Sequence, residues 1–224
     1  MFWQDEDEND ITRFVVPENV LDLHFAIRCK SLPVDHAWAL SMAIQKALPW
    51  FADEERAGLH LIYVAGSGNG WERPHGSGDT LYPSRRTKLI LRLPAERIDD
   101  GLALSGHTLD VAGNKIEVGE GKAHPLAATN TLYARYVAIT EAGQTEEAFI
   151  AQQVAELKQA GLRCKKVLCG KETSFVLPDG ELLTRSLLIA DLPLSDAVRL
   201  QEIGLGPHRL KMLGCGLFIP HKAV

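Results

Sequence analysis

Apolar residues alternate along Val20-Leu-Asp-Leu-His-Phe-Ala-Ile-Arg-Cys29, with Leu21, Leu23, Phe25 and Ile27 on one face and Val20, Asp22, His24, Ala26 and Arg28 on the other. A period of two predicts a strand with one buried face and one mixed face. The period then lengthens. Ala37, Leu40, Ile44 and Ala47 recur at helical spacing. Ser31 or Asp35 offers a cap, Pro33 fits the first turn, and Pro49 stops the helix near Leu48. A second strand is expected over 59–65. Five glycines and two prolines then describe an extended loop over 66–83. The next strand, 86–93, separates into Thr87, Leu89, Leu91 and Leu93 on one face and Arg86, Lys88, Ile90 and Arg92 on the other. A short helix over 95–104, opened by Pro94, precedes a hairpin over 107–118 that turns at Gly113-Asn114.

The same order of elements then recurs. Leu132, Tyr133, Tyr136, Val137 and Ile139 predict a strand over 131–140, and Phe149, Val154 and Leu157 the apolar side of a helix over 146–160, with Gly161 as its C-cap. Strands over 165–169 and 182–188, a helix over 195–202 capped by Ser195, and a strand over 214–220 complete the chain. Each half reads β-α-β-β-α-β. The fold class expected is therefore α+β, two tandem ferredoxin-like modules over residues 20–128 and 129–224, after an acidic tail over residues 1–19. Each module leaves one sheet face bare, so two side by side frame a cleft. Arg86, Lys88 and Arg92 put a basic row on such a face, where the alternative is an ordinary solvated strand.

Composition narrows the class. A chain of 224 residues, 46% hydrophobic and 24% charged, is ordinary for a globular protein. No apolar run is long enough to span a membrane, and the acidic start is the reverse of a signal peptide's, so a cytoplasmic location is expected, with no membrane partner. The four cysteines, Cys29, Cys164, Cys169 and Cys215, show no zinc spacing and read as reduced and structural. A net charge of −5 argues against a polyanion partner until the acids of Asp5 to Asp10 are set apart; the rest of the chain is then neutral. From Ala151 onward ten Lys and Arg face seven acids, which allows a local basic surface.

The last connection is the most unusual stretch. Gly204-Leu-Gly206 and Gly214-Cys-Gly216 bracket His208, Arg209 and Lys211. Glycine permits positive φ and close approach of another chain, so this loop reads either as a tight turn or as a cradle for an anion on a polymer.

At these residues the chain resembles a known family. The double module and the loop from Gly204 to Gly216 resemble the repeat-associated (RAMP) superfamily of CRISPR proteins. Leu32-Pro-Val-Asp-His-Ala-Trp-Ala-Leu40, the strand Ser84-Arg-Arg-Thr-Lys-Leu-Ile-Leu-Arg-Leu-Pro94 and the terminal loop are similar to its Cas six branch, in the Myxan subtype. The resemblance implies a metal-independent endoribonuclease, needing no cofactor, that cuts CRISPR repeat RNA in precursor transcripts to make mature guide RNA. The resemblance also extends the expected partners to other CRISPR effector-complex proteins. In such a reaction the ribose 2′-OH attacks the adjacent phosphate, leaving a 2′,3′-cyclic phosphate and a 5′-OH. One group must take the 2′ proton, another must protonate the leaving oxygen, and cations must offset phosphorane charge.

For the base the expectation is His36, at the start of the first helix, where the helix dipole disfavours imidazolium and Asp35 pulls the other way. Its alternative role is to help cap that helix. His24 and His208 rank next, and Tyr63, Tyr82 and Ser84 are auxiliary donors. Arg85, Arg86, Lys88, Arg92, His208, Arg209 and Lys211 are the expected RNA contacts, with Gly204, Gly206, Gly214 and Gly216 shaping the loop. Three rivals stand beside this reading: a catalytically inactive RNA-binding subunit of the same superfamily, a small-metabolite regulatory domain, and a two-histidine phosphoesterase. The last needs two His-x-Ser/Thr motifs, and only His75-Gly-Ser77 fits.

Overall fold

Chain order in the computed structural model, which describes residues 14–66, 74, 76 and 78–221, begins with β1 (Val20–Cys29), β2 (Leu32–Pro33), α1 (Ala37–Ala47), β3 (Gly58–His60), β4 (Thr80–Leu81) and β5 (Lys88–Pro94). It continues with α2 (Ile98–Leu102), β6 (Thr108–Val111), β7 (Asn114–Pro125), β8 (Leu132–Ala138), α3 (Glu146–Gln159) and β9 (Lys166–Leu177). Last come β10 (Gly180–Ala190), α4 (Leu194–Ile203), α5 (His208–Lys211) and β11 (Phe218–Pro220). The acidic stretch through Asp10, Gly68, Gly70, His75 and Ser77 of the His-x-Ser motif, and Lys222 lie outside the described residues.

The alternation in β1 does what its period predicts. Leu23, Phe25 and Ile27 are buried while Asp22, His24 and Ala26 turn to the other face. β1 lies inside an antiparallel sheet of order β3-β5-β1-β7-β6. On the covered face, Leu40, Ile44, Leu89, Leu91, Leu93 and Ile116 join the same core. Each such fully buried side chain is worth about 1.5–3 kcal/mol of removal from water. The second sheet has order β11-β8-β10-β9, again antiparallel, and buries Leu132, Ala134, Leu187, Ile189 and Phe218 against Phe149 and Leu157 of α3 and Ala197 and Leu200 of α4. Thr145 caps α3, its hydroxyl accepting from the Ala148 N–H.

Several expected boundaries move. The strand at 59–65 stops at His60 because the Ile62 N–H turns away to donate to the His36 ring. The strand at 86–93 starts at Lys88. Ser84 to Thr87 closes a turn in which the Thr87 N–H donates to the Ser84 carbonyl and the Thr87 hydroxyl accepts from the Ser84 N–H. The hairpin turns one residue earlier than expected, with Ala112 and Gly113 both at positive φ. Its second strand runs on to Pro125, and β9 and β10 form a longer ribbon than the apolar runs marked. Neither Ser31 nor Asp35 caps α1. Ser31 donates to the Asn114 side chain, and Asp35 reaches across to accept the Val176 N–H of β9 at 2.7 Å.

Candidate functional site

The face of the first sheet opposite its core gathers Asp22, His24 and Ala26 of β1, Lys88, Ile90 and Arg92 of β5, and Lys122 and His124 of β7, as their cross-strand pairing requires. One end of this face is covered. Arg92 is 1% exposed; its guanidinium holds both Asp22 oxygens, at 2.8 and 2.9 Å, and donates to the carbonyls of Gln201 and Phe218 in the second half. Arg92 therefore ties the two halves together and is removed from the expected basic row. Period two put it on the right face but could not say that protein covers that end. Lys88 and Lys122 are exposed, as are Arg85 and Arg86 on the turn before β5, so the row survives at its other end.

Between these ends stand two histidines. The rings of His24 and His124 lie 4.5 Å apart, centroid to centroid, tilted by 43°. Burial holds the His24 pKa below its ordinary value; Asp22 opposes this, and the charges of His124, His60 and Lys88 reinforce it. His24 is thus a neutral imidazole near pH 7, half-buried between cations. His60, deeper on the same side, sits 3.6 Å from Asp22, and burial lowers it as well.

His36 is corrected by its surroundings. It is 1% exposed; Nδ1 lies 2.9 and 3.0 Å from the carbonyls of Pro33 and Val34, and Nε2 accepts the Ile62 N–H at 3.1 Å. Nδ1 therefore carries the proton and Nε2 has its lone pair committed. In this arrangement His36 fastens the start of α1 to the strand that follows, and neither nitrogen is available to a substrate hydroxyl.

The glycine loop is also a packing device. A Cβ on Gly216 would stand 1.9 Å from the Leu205 carbonyl oxygen, one on Gly204 would meet the Gly216 oxygen at 2.7 Å, and one on Gly214 would strike Leu61 at 2.5 Å. The Leu205 N–H donates to Gly216 and the Gly216 N–H to Tyr136, so the close approach is to the protein's own backbone. Lys211, 8% exposed, gives its ammonium to the carbonyls of Glu55 and Ile203, which corrects its expected role as a phosphate contact. Arg209 and Gly206 remain exposed. His208 is half-buried, its pKa lowered by burial and by Lys211 against the pull of Glu55, Glu54 and Asp53.

Tyrosines and arginines missed as a group complete the surface. A cavity of about 640 Å3 opens between the halves, lined by Asp35, Tyr63, Tyr133, Arg135, Tyr136 and Lys171 among others. Tyr63 is shared with a second cavity, which adds Tyr82, Ser84 and Arg86. Ser84 in turn borders a third, with Arg28, Lys30, Arg85 and Lys115. The three are neighbours along a groove through these shared residues, and each has Arg or Lys in its lining. Arg135 and Lys171 come from the second half, and no periodicity in either half links them to Tyr63. Among the described residues no group of three or more His, Cys, Asp and Glu gathers closely enough to hold a metal ion, and no helix is long and apolar enough to cross a membrane.

Comparison with known proteins agrees on one family. The sequence model of the family described as Cas6 Crispr matches residues 21–223. A protein of Myxococcus xanthus (strain DK1622) named CRISPR-associated endonuclease Cas6 is 29% identical over 200 residues, covering 89% of this chain and 81% of that protein. Among solved structures, one described as CRISPR associated protein Cas6 superposes with a TM-score of 0.59 at 11% identity, covering 91% of this chain and 100% of that one. Another, from a Cas6-related gene of Pyrococcus furiosus, gives 0.57 at 11% identity, covering 89% and 97%.

Proposed function

The chain belongs to the Cas6 family of CRISPR proteins, and from that premise we propose that it is an endoribonuclease cutting CRISPR repeat RNA in precursor transcripts to make guide RNA. The observation that carries the reading to particular residues is the open sheet face. A neutral His24, its ring tilted against that of His124, lies there among Lys88 and Lys122, beside a cation-lined groove. The architecture is read as two ferredoxin-like modules, residues 20–128 and 129–224. Both sheets support this: taken in chain order, the strands β1, β3, β5, β7 and again β8, β9, β10, β11 are arranged fourth-first-third-second.

The chemistry proposed is attack of the ribose 2′-OH on the adjacent phosphate. The hydroxyl proton goes to a base, the phosphorus–5′-oxygen bond breaks, and the departing oxygen takes a proton from an acid. His24 is the group suited to the first step, because its lowered pKa keeps the lone pair free at neutral pH. Lys122, directly opposite His24 on β7, and Lys88, opposite Ala26 on β5, offset the charge on the phosphorane, and Arg85, Arg86 and Arg209 hold flanking phosphates. Held in line, the reaction needs no metal.

Incubation with the cognate repeat RNA in EDTA tests this. Cleavage to a 2′,3′-cyclic phosphate and a 5′-OH is expected, abolished by a single 2′-deoxy substitution at the cut site. Intact RNA at concentrations where binding is saturated would assign the chain instead to a non-catalytic RNA-binding role.

A further inference from the structure

Tyr82 and Tyr63 line one cavity of about 600 Å3 together with Ser84, Arg86 and Thr87, and their side chains are 61% and 40% exposed. The Arg135 guanidinium lies 3.7 Å from the centroid of the Tyr63 ring, a cation–π contact that fixes the ring's orientation from the second half of the chain. Tyr63 therefore stands at the junction of two cavities, with Arg86 on one side and Arg135 and Lys171 on the other. Exposed rings and cations lining the same groove match what a polynucleotide offers when its bases are unstacked: flat faces at intervals along a charged backbone. A duplex offers neither. Its base faces cover one another, and it is read through shape, phosphates and 2′-hydroxyls across the minor groove.

Resting on the reading that the substrate is repeat RNA, we propose that this groove takes the RNA as an unpaired strand. One base lies on Tyr82 and another on Tyr63, and the phosphates between them run past Arg86. The strand then continues past Ser84 toward Arg85, Arg28 and Lys30, which line the next cavity. Selection between RNA forms follows from the rings, while the arginines act on any phosphate backbone.

The test compares two RNAs on the full chain by fluorescence anisotropy: the repeat held unpaired, and the same repeat closed into a duplex by a complementary strand. The unpaired form is expected to bind more tightly. Tyr82→Leu and Tyr63→Leu are each expected to weaken it by roughly 5- to 150-fold, the worth of one base–aromatic stack. Tyr82→Phe and Tyr63→Phe retain wild-type binding, because the ring remains, and the Leu variants leave the weaker duplex binding unchanged. Wild-type affinity for unpaired RNA in both Leu variants overturns the proposal, as does a duplex that binds as tightly as the unpaired strand. If neither RNA binds, the assignment of repeat RNA as substrate falls and the groove proposal falls with it.

Discussion

Two histidines twelve residues apart in sequence meet opposite surroundings. His36 spends both ring nitrogens on backbone groups, whereas His24 has its imidazole half-buried among cations on an open face. Replacing His36 by Ala leaves the Ile62 N–H without its acceptor and opens a cavity at the start of α1. A loss of about 2–4 kcal/mol is expected in urea denaturation, with the cleavage rate per folded molecule little changed. For the wild type, a base with a lowered pKa is deprotonated across neutral pH and protonated only in acid. Single-turnover rates should therefore be flat near pH 7 and fall on an acid limb whose apparent pKa lies below the ordinary histidine value of about 6.5. A limb above that value would point to another base. The sequence pattern placed His24 on the mixed face of its strand, and that placement holds. Ranking the histidines needed what no spacing reveals, namely which ring nitrogens the folded backbone consumes.

At the scale of elements, the glycine-rich connection and the basic strand show how a correct pattern acquires a different meaning. Positive φ at Gly204, Gly206, Gly214 and Gly216 is what a run of glycines announces, but the neighbour that Gly204, Gly214 and Gly216 each admit is a carbonyl or a leucine of the same chain. Gly216→Ala is expected to prevent stable folding, because its Cβ would overlap the Leu205 carbonyl. Gly206→Ala, with φ +77° and nothing within 4 Å, should cost only the left-handed backbone, about 1–2 kcal/mol, and leave RNA affinity intact. Thermal melts of the two variants check the contrast. The strand from Lys88 divides in the same way: its exposed start faces the groove and its buried end clamps the other half. Removing the charges of Arg85, Arg86 and Lys88 together should weaken RNA binding and flatten the dependence of affinity on salt. The log–log slope should fall by up to about 0.7 for each phosphate of a single strand that these side chains neutralise. An unchanged slope would take these three off the RNA path. Period and composition made the faces legible; coverage of a face depends on packing between residues more than a hundred positions apart, which local patterns do not encode.

Over the whole molecule, the Asp22–Arg92 pair is the polar keystone between the halves. Burial pushes the Asp22 carboxyl up, but the Arg92 charge and the His60 interaction outweigh it, and its pKa stays well below the usual carboxylate range. The stability this supplies is present above about pH 4, where an unfolded Asp is already ionised, and is lost as pH falls through the lower folded-state value. Arg92→Met strands a buried carboxylate and leaves the Gln201 and Phe218 carbonyls without their donor; a cost of about 3–5 kcal/mol is expected in denaturant. Most of the longer strands and helices were legible because each half carries its own periodicity. The clamp was not, since Arg92 looks like any other member of an alternating strand. What the clamp maintains is the relation between the second half and the open face on which the chemistry is proposed to occur. That proposal is met most directly by single-turnover cleavage of saturating repeat RNA by His24→Ala in EDTA. A fall of about 100-fold or more at unchanged RNA affinity and unchanged melting temperature is predicted; cleavage at the wild-type rate would contradict it.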